Sequence, residues 1–583
     1  MKIKSIYIHN FRSIKDAKFD LYDYSILVGA NNAGKSNILT ALRVFYEDSG
    51  IKFNEKIDFP KFQTEDDESW IEIEYLLTDE EFENLRDEYK NSDNILKVRK
   101  YLKSSDRERI KPNQSNIYAY ENGRLSTNLF YGAKNIAQAK LGAVIYIPEI
   151  TKTEDTLKLS GPSPLRNTLT FVMKRAVKTS EAFKSLNDTF KEFNKKFKEE
   201  ASKDGVSLEN FRKEINKNLR EWGVEFDINI NPIKAEDIIK NLISHSFIDK
   251  TLDKELDIRL YGQGLQRHLI YILIRLSAQY KEEKVHKKKE FSPELTLILF
   301  EEPEAFLHPT QQESLNSSLR YLSSEEGQQV IISTHSPIFV SKNIEDISSL
   351  IKLKREDGIT KCFQVSEKIR KNIIKRNNEL AQIFESKLND LSVDESTKNR
   401  IRKILGDTDN DRWMEEESIR YLLWLDSERA SACFADIVLI CEGATEKVFI
   451  GYLIKNKWND LKEKKIYVLD SMGKFNIHRY MNLFKELGIH HSILADKDEN
   501  NAVHETINQF IEENKNEYTK GIYFFDRDIE SFLGIETPSA NRKDKKPLNV
   551  MWHYFSGKIS DDKIDQLRQI IDELIGVVRN EPN

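Results

Sequence analysis

The sequence predicts an α/β protein: a strand–helix head interrupted by a helical insert, followed by a smaller parallel-sheet domain. Three observations lead there. Near the start, a β-branched strand pattern runs into a glycine-rich turn and an amphipathic helix. In the middle, two apolar stripes recur at helical period. At the end, apolar strands alternate with helical segments a second time. At 583 residues the chain exceeds one ordinary core, so several domains are expected.

Taken in order, Ile3, Ile6 and Ile8 mark a first strand that runs into Asn10-Phe11-Arg12-Ser13. Residues 23–28 form a second apolar strand, and 38–45 read as an amphipathic helix; 69–77 and 143–148 read as further strands. Within 166–222 the texture changes. Phe183, Leu186, Phe190, Phe193 and Phe197 recur at steps of three and four, Lys203-Asp204-Gly205 breaks the run, and Leu208, Phe211, Ile215, Leu219 and Trp222 resume the period. Two amphipathic helices joined by a turn are the direct reading. Each covers part of the other's stripe, and the surplus is covered either by its own domain or by another subunit. Strand patterns return at 295–300 and 330–333, residues 366–430 are polar and helix-favouring, and new strands are expected at 437–440, 466–469 and 492–494. The expected divisions are 1–165 and 246–365 for the two parts of the head, 166–245 for the insert, 366–430 for a helical linker and 431–583 for the last domain.

Hydrophobic residues make up 39% and charged residues 32%, the mix of a globular chain. The formal net charge of −6 excludes a basic coat over the whole surface, so nucleic acid would be held by local positive patches or through metal ions. Cys362, Cys433 and Cys441 have neither CxxC spacing nor paired histidines, which argues against zinc and fits a reducing cytosol. No signal peptide is legible, and no apolar run approaches the ~20 residues that cross a bilayer. A cytoplasmic protein with no membrane contact is expected.

Gly29-Ala30-Asn31-Asn32-Ala33-Gly34-Lys35-Ser36 matches the phosphate-binding loop pattern in full, with a strand before it and a helix after it. Gly29, Asn32 and Gly34 shape a loop whose backbone N–H groups wrap phosphates at a helix N-terminus. Lys35 supplies charge to the β and γ phosphates of ATP, Ser36 offers a hydroxyl to Mg²⁺, and Asn37 completes the predicted nucleotide-binding set. Downstream, Leu297-Ile298-Leu299-Phe300-Glu301-Glu302-Pro303 is an apolar strand ending in two acids. Alone it reads as a core strand before a solvated turn. Beside a phosphate-binding loop, Glu301 becomes a candidate near Mg²⁺ and Glu302 a candidate to polarise the attacking water. Val330-Ile331-Ile332-Ser333-Thr334-His335 is a third strand end, with His335 a candidate γ-phosphate sensor.

The last domain carries a second chemistry. Asp436 to Glu446 reads as a strand, Glu442, a glycine and then Glu446; Ile493-Leu494-Ala495-Asp496-Lys497-Asp498 is another strand ending in two acids. In a parallel sheet the C-terminal strand ends share one edge. Carboxylates gathered there repel one another unless cations sit between them, and hard oxygen ligands suit Mg²⁺ or Mn²⁺. Two such ions can activate water and stabilise the leaving oxygen of a phosphodiester. Read singly, either acidic turn is ordinary solvated loop; the two together point to metal.

The head motifs resemble the ABC-type ATPase heads of SMC, RecF and OLD (overcoming lysogenization defect) proteins. Asn10-Phe11-Arg12-Ser13 is similar to the opening of those heads. Tyr261-Gly262-Gln263-Gly264-Leu265-Gln266-Arg267 stands where they carry the signature loop, though without its serine. The resemblance implies that Gly262, Gln263 and Gly264 of one subunit meet the ATP of another, and that the insert dimerises. The acids resemble the Toprim domain of topoisomerases, primases and OLD nucleases, with Glu442, Asp496 and Asp498 at the family positions and Glu446 completing the Glu-Gly-x-Thr-Glu form of OLD nucleases. The run Leu422-Leu423-Trp424-Leu425-Asp426 looks like the family's linker into Toprim. By the same resemblance Glu530, in Phe525-Asp526-Arg527-Asp528-Ile529-Glu530, is a late metal ligand, and Lys546, in Lys545-Lys546-Pro547, is a candidate to stabilise the pentavalent phosphate. Gly473-Lys474 frames the site. The order of motifs implies an ATP-regulated, metal-dependent DNA endonuclease of bacterial anti-phage defence, similar to the Gabija nuclease. It implies a homodimer or higher oligomer and a protein or nucleic-acid partner in the defence system. A topoisomerase needs a tyrosine on a separate DNA-gate domain, for which the chain has no room. The non-enzymatic alternative is a nucleotide-dependent sensor or scaffold ATPase that regulates a partner effector.

Overall fold

Alternation of buried and exposed side chains builds the first sheet. In β1 (Lys2–Phe11), Ile3, Ile6, Ile8 and Phe11 turn inward. It pairs antiparallel with β2 (Ile14–Asp20) through a tight turn at Arg12, whose φ is 53°, and with β4 (Ser69–Leu76) on its other side. β5 (Ile95–Lys103), β6 (Ile117–Glu121) and β7 (Arg124–Leu129) extend it in the order β2-β1-β4-β5-β6-β7. The computed structural model describes residues 1–135, 139–149, 157–159, 165–166, 169–170, 172–173, 180–200, 202, 206–228, 243–279, 291, 293, 295–341, 344–405, 427–498, 501–538 and 544–576. The Lys203-Asp204-Gly205 break and the run 422–426 lie outside these residues.

The second sheet is a different object. β3 (Tyr24–Val28), β11 (Thr296–Glu301) and β12 (Gln328–Thr334) are apolar through most of their length and almost wholly buried, as parallel strands covered on both faces must be. With β8 (Ala143–Ile147), β13 (Leu350–Glu356) and β14 (Ile359–Gln364) the order is β14-β13-β3-β12-β11-β8; only β14 runs antiparallel. Leu297, Ile298, Leu299 and Phe300 are at most 1% exposed, and each such side chain contributes about 1.5–3 kcal/mol on burial. The helix Lys35–Tyr46 buries Ile38, Leu39, Leu42 and Phe45 in one core shared by the two sheets.

Between β8 and β11 the chain passes through a separate compact unit, residues 150–287. Its described part holds the paired helices Glu181–Glu199 and Leu208–Leu219, the hairpin β9 (Phe247–Asp249) and β10 (Lys254–Leu256), and the helix Gln263–Gln279. The two paired helices have the expected amphipathic stripes. Phe193, Phe197, Phe211 and Trp222 remain exposed, more apolar surface than the pair covers by itself.

The final sheet is wholly parallel: β15 (Ile437–Cys441), β16 (Ile466–Asp470), β17 (His491–Asp496) and β18 (Thr519–Phe525), in the order β16-β15-β17-β18. A parallel arrangement puts all four C-terminal ends on one rim, so Glu442, Asp470 and Asp496 leave the sheet on the same side. The linker helix Glu367–Asn389 lies on this domain. Arg376 pairs with Glu486 at 3.1 Å, Asn482 donates to Asn377 at 2.9 Å, and Lys387 donates to Thr506 at 2.6 Å. Gly488 packs so tightly on the Phe363 ring of β14 that a Cβ there would lie 2.5 Å from it.

Two glycines fix the phosphate loop against β13 and β14. A Cβ on Gly29 would lie 2.4 Å from the Leu353 carbonyl oxygen, and one on Gly34 (φ 108°) 2.3 Å from Thr360 Oγ1. Thr360 cannot yield easily. Its hydroxyl donates to the Ala33 carbonyl at 3.0 Å and lies 2.7 Å from Ser13 Oγ, which accepts from Asn37 Nδ2 at 2.7 Å. Gly34→Ala therefore is expected to destabilise the head by about 2 kcal/mol or more, read as a lower-temperature unfolding transition that added ATP does not restore.

Candidate functional site

Three strand ends converge on the phosphate loop because β12 lies between β3 and β11. β3 feeds the loop, β11 delivers Glu301 and Glu302, and β12 delivers His335. Lys35 Nζ donates to the carbonyls of Gly29 at 3.0 Å and Ala30 at 3.2 Å, and to His335 Nε2 at 2.7 Å. Burial lowers Lys35 to about 8, against the pull of Glu302 and Glu304. Burial, aided by Lys35 and Lys465, lowers His335 to about 4, so its ring is neutral at pH 7 and accepts from Lys35. Glu302 lies 3.4 Å from His335 Nε2 in a left-handed backbone conformation, φ 45°. Burial raises its carboxyl, and Glu149 and Glu304 add to the rise.

Ser36 donates to Glu301, so the two groups named for Mg²⁺ already touch. The other oxygen of Glu301 accepts from Tyr146 at 2.5 Å, and Arg43 stacks over the Tyr146 ring at 3.7 Å. Tyr146, Arg43 and Glu304, whose carboxylate accepts from the backbone N–H of His335 at 2.6 Å, carry no motif and were not read from the sequence. Asn32 takes a left-handed turn, φ 64°. Asn37 points away from the loop toward Ser13, and its carbonyl oxygen lies 3.4 Å from Arg12. Within residues 150–287, Gly262 immediately precedes the helix Gln263–Gln279, with Gln263 and Gly264 in its first turn and Gln266 donating to the Tyr261 carbonyl at 2.9 Å.

On the rim of the last sheet, Glu442 Oε2 accepts from the backbone N–H of Asp496 at 3.3 Å. The two acids therefore do meet. Glu446, in the first turn of the helix Ala444–Asn456, accepts from the Gly443 N–H at 3.1 Å and is buried. Burial raises it to about 7, with Glu442 and Glu530 adding to the rise. Asp496 is raised to about 9 by burial, then by Glu446, Glu442 and Asp498, and burial likewise raises Glu442. Glu530 lies fully buried in the short helix Ile529–Leu533, with Lys546 Nζ 3.4 Å away. Burial pulls Lys546 down, but Glu530 and Asp496 outweigh it and its pKa is raised.

Asp498 is different. A hydrogen bond from His504 and another from Lys474 hold it well below the usual carboxylate range. Lys474 Nζ is 2.7 Å from Asp498 Oδ2, and His504 Nδ1 is 2.9 Å from the same oxygen. With Asp498 turned to these partners, Glu446 to Gly443 and Glu530 to Lys546, no group of three His, Cys, Asp or Glu among the described residues stands ready to hold an ion. The donor set nevertheless fits a divalent cation. Asp496 Oδ1 is buried with no hydrogen-bond partner, and the crowded carboxylates ionise together only if positive charge joins them.

Residues 1–340 match the AAA ATPase domain family, and 433–498 match the TOPRIM domain of overcoming lysogenization defect protein-like proteins. The Old nuclease of Escherichia phage P2 is 26% identical over 517 residues, 85% of this chain and 77% of that protein. Endonuclease GajA of Bacillus cereus (strain VD045) is 23% identical over 518 residues, 85% of this chain and 75% of its own. Among solved structures, an SMC head bound to the C-winged helix domain of ScpA overlaps 64% of this chain and 100% of that one, at 16% identity and a TM-score of 0.34. With the ATPase match spanning more than half its length and a TOPRIM domain following it, the chain belongs to the AAA ATPase domain family and is homologous to the OLD nucleases.

Proposed function

We propose that the chain is a divalent-metal-dependent DNA endonuclease whose cutting or nicking is governed by ATP at its head. The observation that carries this reading is the meeting of Glu442 and Asp496 on one rim, with the Asp496 Oδ1 atom buried and unpartnered. Glu442, Asp496 and Glu446 hold the ion, with Glu530 and Asp498 flanking them. Mg²⁺ or Mn²⁺ bound there supplies a lowered pKa for water and a Lewis acid for the phosphoryl oxygens. Lys546, tied to Glu530, presents its ammonium to the phosphate as negative charge builds on it. In the head, Lys35 and the loop N–H groups bind the phosphates of ATP, Ser36 and Glu301 hold Mg²⁺, Glu302 polarises the attacking water and His335 senses the γ-phosphate.

The reading extends to a homo-oligomer, supported by the exposed Phe193, Phe197, Phe211 and Trp222 of the insert, and to Gly262, Gln263 and Gly264 closing on the ATP of another subunit. The order of motifs extends it further to a cytoplasmic role in anti-phage defence with a partner molecule. No described helix is long and apolar enough to cross a membrane. The test is supercoiled plasmid incubated with Mg²⁺ or Mn²⁺, with and without ATP. Nicked or linear product supports the reading. Unchanged plasmid in every condition overturns it and leaves the sensor or scaffold ATPase.

The crowded acids also set a pH dependence. Asp496 and Glu446 have folded-state values, about 9 and about 7, above those of an unfolded chain. The folded domain therefore binds more protons, and stability falls as pH rises from about 4 through about 9. Without divalent ions, the unfolding temperature is expected to drop between pH 6 and pH 9. Mn²⁺ should raise it more at pH 9 than at pH 6, and Asp496→Asn should flatten the dependence; calorimetric scans check all three.

A further inference from the structure

Lys474 is 1% exposed, and a lysine so buried is uncommon unless something holds its charge. What holds it is the rim itself: Asp498 at 2.7 Å and Glu442 at 3.8 Å. The turn that carries the lysine is pinned to the rim. Gly473 donates to the Glu442 carbonyl at 2.8 Å, Ser471 donates to the same carbonyl at 3.2 Å, and Asn476 donates to the Ser471 carbonyl at 3.0 Å. Gly473, at φ 112°, permits the turn that sends Lys474 inward. His504, whose Nδ1 lies 3.4 Å from Lys474 Nζ, fixes the same Asp498 oxygen that Lys474 holds.

We propose that Lys474 is a resident cation of the rim, occupying the place beside Asp498 and Glu442 that a second divalent ion needs. The inference rests on the metal reading above. Its consequence is an unequal pair of ions. The first binds tightly on the side of Asp496 and Glu446, and the second binds weakly, because the Lys474 ammonium must give up Asp498 before the ion takes it. Lys474 is thus a positioning residue that sets how many ions the rim carries before DNA arrives. An ordinary structural ion pair would leave the ion count alone.

Mn²⁺ binding to the full chain without nucleotide, followed by calorimetric titration and electron paramagnetic resonance, tests this. The ions of the rim are those lost in Asp496→Asn. One tight ion and a second at least about tenfold weaker is the expected wild-type result. Lys474→Met should strengthen the second ion until the two are comparable and magnetically coupled, and Lys474→Arg should restore the inequality. Two equally tight ions in the wild type overturn the proposal, whether or not Lys474→Met folds. So does a folded Lys474→Met with the wild-type pattern. If Asp496→Asn loses no ion at all, the metal reading itself fails, an outcome distinct from either of these.

Discussion

Asp496→Ala is expected to abolish the proposed divalent-metal-dependent plasmid cleavage, by at least about a thousandfold, equivalent to about 4 kcal/mol in the barrier. The same loss is expected for Glu442→Ala, since the two acids share the rim through the 3.3 Å contact between Glu442 Oε2 and the Asp496 N–H. ATP binding is expected to stay at the wild-type level, because the phosphate loop is built on β3 and braced by Thr360 and Ser13. Loss of the fold is a poor explanation in advance. Without divalent ions Asp496, raised to about 9, is already protonated at pH 7, so its removal breaks no ion pair there and the variant is expected to stay folded, as a calorimetric scan checks. Cleavage by Asp496→Ala at the parental rate would remove the site assignment.

Lys35→Ala is expected to weaken ATP by about a hundredfold, about 3 kcal/mol, measured by calorimetric titration. Lys35 is the buried cation of the loop, already directed at the Gly29 and Ala30 carbonyls and at His335. Its loss removes the charge opposite the β and γ phosphates and leaves His335 Nε2 without its donor. The rim acids belong to another sheet, so Mn²⁺ binding there should be unchanged. A variant that loses both ligands together would instead indicate a collapsed head.

The phosphate loop and the two acidic strand ends were legible because their chemistry needs neighbours in sequence. Gly29 to Ser36 must be contiguous to wrap a phosphate, and Glu442 and Asp496 each announce themselves by following an apolar run, 437–441 and 493–495. Lys474 was legible only as a frame, and His504 not at all, because their meeting at Asp498 depends on a 3₁₀ turn after β16 and on the helix Ala502–Glu513, distant in sequence, reaching the same oxygen. Tyr146 reaches Glu301 only through the pairing of β8 with β11, strands separated by the whole 150–287 unit. β13, with Lys352, Lys354 and Arg355 among its apolar residues, does not read as a strand of a parallel sheet, yet it lines the back of the phosphate loop.

The neighbours of β3 have a temporal consequence. This strand ends at Val28, but it lies between β12 and β13, made some 300 residues later. At ribosomal speeds of about 5–20 residues per second, both of its edges stay bare for roughly 15–60 seconds while the nascent chain lengthens. The antiparallel sheet, by contrast, has all its strands by Leu129 and can close early. Synthesis thus leaves half of the head assembled and its nucleotide strand waiting, an edge open to aggregation and a natural client for chaperones.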